Sequence, residues 1–203
     1  MLSSRTAIGY LIVLKNKRLF IAVELPPAAR KAVHQLGTRV FNNFGDVRSV
    51  KATNIHITLK FLGNIFTDNI DLISGAICST AESFNNFSFE IDGKIDAFPN
   101  KKRARTVFSS IGEGKLEFKL LYLSLEESLQ RACRQFGVKA GSNDFIAHTT
   151  IARVRHPGDI TYAISEAGTI PPIRIECRSI VLFESILDPT GVRYIKLREF
   201  SLK

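Results

Sequence analysis

From Asn54 to Gly63 the chain alternates. His56, Thr58 and Lys60 fall on one face of an extended strand, and Ile57, Leu59 and Phe61 on the other. The apolar face asks for a core. The polar face sets an imidazole beside a hydroxyl, with a cation next along. A second strand, predicted from Phe145 to Val154, repeats this: His148 and Thr150 share a face within another β-prone apolar run. Arg18 to Leu25 is continuously apolar, as in a strand buried on both sides. Pro26-Pro27 ends it, and Pro27 suits the first turn of a helix. Ala32, Leu36, Val40 and Phe44 then recur at helical spacing, which predicts a helix over Ala28 to Phe44.

Further along, Val47 to Val50 reads as a short strand. Asn69 to Phe84 reads as a helix with Ile70, Ile73, Ile77, Ala81 and Phe84 on one stripe, entered through a cap at Thr67 or Asp68. Phe87, Phe89 and Ile91 alternate as a strand, with Asp92-Gly93 as its turn and Ile95 to Phe98 continuing the sheet. Thr106 to Ile111 is β-prone. Glu113 to Phe136 is the longest helical stretch, with Leu116, Leu120, Leu123, Leu129 and Cys133 as core positions and Gly137 as its stop. Pro157-Gly158 breaks the chain. A short helix over Ile160 to Glu166, a strand within Ile173 to Leu187, a turn at Asp188 to Gly191 and a closing strand over Val192 to Leu202 complete it. The order β-α-β-α-β-β-α-β-α-β-β is that of an α+β fold with a mainly antiparallel sheet. Nothing divides the region from 18 to 203, which reads as one domain; residues 1–17 read as an extension with no assigned role.

Composition adds little to the fold and more to the partner. With 15 Phe, no Trp and one Met, Phe is the core filler. The net charge of +9 points to a polyanion, most often nucleic acid. The densest basic cluster is Lys101, Lys102, Arg103 and Arg105, which reads equally as an RNA phosphate track or a solvated loop. Phe98 beside it reads as core or rim packing, with base stacking as the rival use. Cys78, Cys133 and Cys177 form no CxxC and suit a reducing cytosol. The apolar run Tyr10 to Leu14 is far short of the ~20 residues that span a bilayer. A cytoplasmic protein with no membrane partner is expected.

Imidazole is the side chain best poised for proton transfer near neutrality. Two of them flanking one phosphorus can divide the work, one activating water and the other protonating the departing oxygen, without a metal. Thr58 and Thr150 supply hydroxyls for phosphate oxygens. A catalytic metal would need further ligands, and no carboxylate or Cys lies beside either histidine on its strand. Phosphate-loop, dinucleotide-loop and nucleophile-elbow motifs are absent, so neither ATP dependence nor serine-hydrolase chemistry is supported. One His-x-Thr is an ordinary strand with a wet face; the duplication in matching frames gives it chemical meaning. His34, off the apolar stripe of its helix, is expected to face solvent, and His156 to be a loop residue.

These pieces together resemble the 2H phosphoesterases, and within them the RNA 2′,3′-cyclic phosphodiesterases, historically called 2′-5′ RNA ligases. The likeness is carried by Arg18 to Pro26, Asn54 to Gly63, Ala147 to Arg153, and Gly191 and Tyr194 in the closing strand pair. It implies a bilobal α+β fold in which two antiparallel sheets flank a central cleft, helices outside, each sheet donating one His-x-Thr. It also implies hydrolysis of terminal 2′,3′-cyclic phosphates to 2′-phosphomonoesters on RNA, tRNA fragments among the candidates, with ATP-independent 2′-5′ joining in several members. No cofactor and a monomeric protein are expected. His56 would be the proton donor to the leaving 3′ oxygen and His148 the base, with Thr58, Thr150 and Arg153 on the phosphate. Strict alternation puts Arg153 on the face opposite His148, so it reaches the cleft only if the strand departs from that alternation. The alternatives are a non-catalytic RNA-binding protein using the same basic cleft, and a phosphodiesterase acting on small cyclic nucleotides.

Overall fold

The computed structural model describes residues 15–41, 46–133, 144–189 and 191–203. Among them the strands are β1 (Asn16–Glu24), β2 (Val47–Ser49), β3 (His56–Phe66), β4 (Phe87–Phe98), β5 (Ala104–Ile111), β6 (His148–Gly158), β7 (Ile173–Cys177), β8 (Ser179–Asp188) and β9 (Gly191–Ser201). The helices are α1 (Pro27–Phe41), α2 (Ile70–Ser83), α3 (Lys115–Cys133) and α4 (Thr161–Ala167). The strands form one curled sheet in the order β7-β4-β5-β6-β3-β1-β8-β9, with β2 added alongside β6. Every pairing is antiparallel. The expected α+β class is therefore what the chain adopts.

The two halves of this sheet meet at one paired position, Ile57 opposite Thr149. On one side lie β3, β1, β8 and β9; on the other β6, β5, β4 and β7. The stretch expected to hold one strand, Ile173 to Leu187, holds two, and they serve different halves: β7 pairs with β4, while β8 pairs with β1. The apolar faces are covered by helices. Ile73, Ile77 and Ala81 of α2 and Leu36 of α1 are buried as expected, but the companions of Leu36 in the core are Ala29 and Val33, whereas the expected Ala32 is only half-buried. Helix α3 touches both halves: the Phe118 ring packs on Phe87 and Phe89 of β4, and Glu126 binds Lys60 of β3.

The structure corrects several sequence expectations. The buried stripe of α3 is Phe118, Leu121, Tyr122, Leu125 and Leu129, whereas Leu116, Leu120 and Leu123 are exposed, Leu116 by 66%. Both stripes have helical period, and leucine content alone selects the wrong phase. Asp92-Gly93 makes no turn. β4 runs through it, with Gly93 at φ +70 and a register shift against β5 between Ile91 and Ile95. A Cβ at Gly93 would meet the Ile170 carbonyl oxygen at 2.5 Å, so glycine here serves a bulge and a close approach. Pro157-Gly158 likewise stays within β6. β1 starts at Asn16, two residues before the expected strand. The expected positions Phe44, Phe136 and Gly137, and residues 1–14, lie outside the described residues.

Candidate active site

Ile57 is the residue between His56 and Thr58, and Thr149 the residue between His148 and Thr150. Their pairing thus makes the junction of the two half-sheets the centre of both motifs. In antiparallel register His56 then neighbours Thr150, and Thr58 neighbours His148, all on one face. The four side chains line a single cleft of about 470 Å³.

Both motif strands break their alternation at the same place. β1 skips Leu59 in pairing with β3, since Ala22 faces Thr58 and Ile21 faces Lys60. β5 skips Ile151 in pairing with β6, since Phe108 faces Thr150 and Val107 faces Ala152. Each bulge lies three residues after its histidine. It buries the fourth residue, Lys60 or Ala152, and turns the fifth, Phe61 or Arg153, into the cleft. This corrects the expected faces of Lys60 and Phe61: Lys60 is 6% exposed and bound to Glu126, while Phe61 is 66% exposed. It also removes the obstacle to Arg153, which lines the cleft beside Thr150.

The histidines are held alike. His56 Nδ1 donates to the Asn54 carbonyl at 2.8 Å, and His148 Nδ1 donates to the Ile146 carbonyl at 2.8 Å. That fixes Nδ1 as the protonated nitrogen of each neutral ring and leaves Nε2 with the lone pair. The Thr58 hydroxyl donates to His56 Nε2 at 2.9 Å. Each ring also rests on a stacked phenylalanine pair from the next two strands. His56 lies 5.0 Å from Phe20, which stacks on Phe183. His148 lies 5.1 Å from Phe108, which stacks on Phe98. Burial lowers His56 to about 4, the Asn54 carbonyl opposing and the charges of His148 and Arg153 adding. Burial also lowers His148, opposed by the Ile146 carbonyl and reinforced by Arg153. Both rings are therefore neutral near pH 7, ready to accept a proton, and their charged forms are favoured only when an anion arrives.

Comparison with known proteins bears on this arrangement. Residues 23–108 match the family model described as LigT like phosphoesterase. The chain is 28% identical over 182 residues to an RNA 2′,3′-cyclic phosphodiesterase of Thermotoga maritima, covering 90% of this chain and 94% of that one. It is 28% identical over 185 residues to one of Archaeoglobus fulgidus, covering 90% and 99%. Among solved structures, TT0787 of Thermus thermophilus superposes with a TM-score of 0.73 at 27% identity, over 91% of this chain and 97% of that one. Escherichia coli LigT complexed with 3′-AMP has the same fold, with a TM-score of 0.73 at 22% identity, over 93% and 99%. The chain resembles the LigT-like phosphoesterases over residues 23–108 and shares the fold of LigT.

Several cleft residues were not singled out from sequence. Arg48 and Lys51 line the wall beside His148 and Thr150, from β2 and the turn after it. Arg48 stands directly opposite Arg153 in the β2–β6 ladder. Like charges facing across strands destabilise a sheet unless an anion lies between them. Among the described residues neither arginine has a carboxylate partner, and no Asp or Glu lines the cleft. Tyr194 closes one wall, edge-on to His56 at 5.2 Å. Lys101 to Arg103 form a 3-10 turn capped by the Asn100 side chain, and they and Arg105 lie off the cleft wall. Phe98 reaches the wall and supports His148 at 5.1 Å. His34 does not simply face solvent; its Nδ1 lies 2.9 Å from the Val50 carbonyl, joining α1 to the segment after β2. His156 is exposed, on the end of β6, with its Nδ1 2.9 Å from Asp46. No helix among the described residues is long and apolar enough to cross a membrane, and none of them form a group of three or more His, Cys, Asp or Glu.

Proposed function

We propose that this phosphoesterase opens terminal 2′,3′-cyclic phosphates on RNA to 2′-phosphomonoesters by a metal-independent, two-histidine reaction. The observation that carries the reading is the two-fold set of His56, Thr58, His148 and Thr150 around one backbone pair, with arginines beside it and no carboxylate in its wall. The curated relatives named RNA 2′,3′-cyclic phosphodiesterase support the substrate class. His148 takes a proton from water as the oxygen attacks phosphorus. The phosphorus–O3′ bond breaks, and His56, protonated on Nε2 in the reacting form, delivers that proton to the departing 3′ oxygen. Thr58, Thr150 and Arg153 hold the non-bridging oxygens where charge grows. A 5′-hydroxyl in place of water would exchange the same bonds and leave a 2′-5′ linkage, with no ATP required.

The test is an oligonucleotide with a 2′,3′-cyclic phosphate end, incubated with the protein in EDTA and its product mapped. A 2′-phosphate is expected. His56→Ala and His148→Ala are each expected to lose ~10²-fold or more. Full activity in either variant sinks the two-histidine reaction, and a 3′-phosphate product sinks the direction of bond breaking.

A further inference from the structure

The catalytic cleft does not end at Phe61. A second groove of about 390 Å³ continues past it and shares Phe61, Arg153 and Tyr194 with the cleft. Its far wall carries Arg18 of β1 and Ser185 of β8, and no Asp or Glu lines it. Arg18 is exposed and has no carboxylate partner among the described residues. The adjacent Lys17 is tied to Glu184 at 2.5 Å, so the free cation of this strand is the one facing the groove. Phe61 is a large exposed ring standing at the boundary of the two spaces, put there by the β3 bulge.

A cyclic phosphate closes the 3′ end of its strand, so the rest of the strand continues only on the 5′ side and leaves the cleft by one mouth. The mouth at Arg48 and Lys51 offers charge. The mouth at Phe61 and Arg18 offers an aromatic face and then a cation, the combination that single-stranded nucleic acid uses. We propose that the groove between Phe61 and Arg18 holds the nucleotide preceding the cyclic phosphate, with its base against Phe61 and its phosphate on Arg18. The enzyme then selects a strand over a mononucleotide. This inference rests on the cyclic-phosphodiesterase reading.

The experiment compares kcat/KM for a 2′,3′-cyclic mononucleotide and for a 5′-phosphorylated dinucleotide carrying the same end. The wild-type protein is expected to prefer the dinucleotide by about tenfold or more, the scale of one stacked base. Arg18→Gln is expected to erase most of that preference with the mononucleotide rate unchanged, and Arg18→Lys to keep it. Phe61→Ala is expected to raise the dinucleotide KM. Equal use of both substrates by the wild-type protein, or an Arg18→Gln loss that is the same on both, overturns the subsite while the phosphodiesterase reading stands. Turnover of neither substrate brings down that reading itself, and the subsite with it.

Discussion

Each catalytic candidate is governed by how its imidazole is held. Both Nδ1 atoms are committed to carbonyl oxygens two residues upstream, and both rings are partly buried on phenylalanine pairs. The two therefore titrate below the ordinary histidine value of about 6.5, with His56 near 4. Because they interact, the observed values belong to the pair. A reaction needing one neutral and one protonated ring is fastest between those values. The kcat/KM profile of the free enzyme is accordingly expected to peak below pH 6.5 and to fall toward pH 8; a peak above pH 7.5 would contradict the burial argument. Stability follows the same sign. The unfolded chain binds these protons more readily, so the contribution of the two rings is complete above about pH 6.5 and is lost as pH falls toward 4. Denaturant midpoints of wild-type protein and His56→Phe across that window would show it. The motif residues were legible in the sequence because chemistry repeats there in matching frames. Arg48 was not, since a three-residue strand has no period to read.

Among the elements, the matched bulges decide which side chains meet. Strict alternation is a good guide up to Thr58 and Thr150 and fails after them, because an extra residue in one strand of a pair is invisible to a period-two reading. That is why Phe61 and Lys60 were assigned to the wrong faces, and why Arg153 had no certain route to the cleft. Other elements hold the bulged strands from behind. The Ile151 carbonyl accepts from Val50 N at 2.9 Å, and a Cβ on Gly37 of α1 would approach that same oxygen to 2.9 Å. After the β3 bulge, Lys60 is buried against Glu126 of α3. Removing one member leaves the other charge in the interior. Lys60→Met is expected to destabilise by about 3 kcal/mol, with Lys60→Met/Glu126→Leu recovering most of it. Equal destabilisation in the single and double variants would show that the pair itself, and not the stranded carboxylate, matters. The phase of α3 was illegible for a related reason: leucines occupy both faces, and only the partner surfaces of β4 and α2 select between them.

At the scale of the whole molecule, the excess positive charge becomes useful where it is not neutralised. Arg18, Arg48, Lys51 and Arg153 line the cleft and its continuation without an acid among the lining residues. Affinity for a short RNA should fall with salt, and Arg48→Gln should flatten the slope of log affinity against log salt by about 0.7 if that arginine meets a phosphate. An unchanged slope would remove Arg48 from the phosphate path. The main strand order is symmetric about the β3–β6 contact, with four strands on either side and β2 added on the β6 side. The antiparallel class was legible from turns and alternation; the crossing of the chain from β7 in one half to β8 in the other was not, because a single intervening residue, Arg178, marks it. Since Ile57 and Thr149 form the sole ladder pair between the halves among the described residues, the seam that carries both motifs is braced from outside the sheet, by helix α3 packed on β4 and ion-paired to β3.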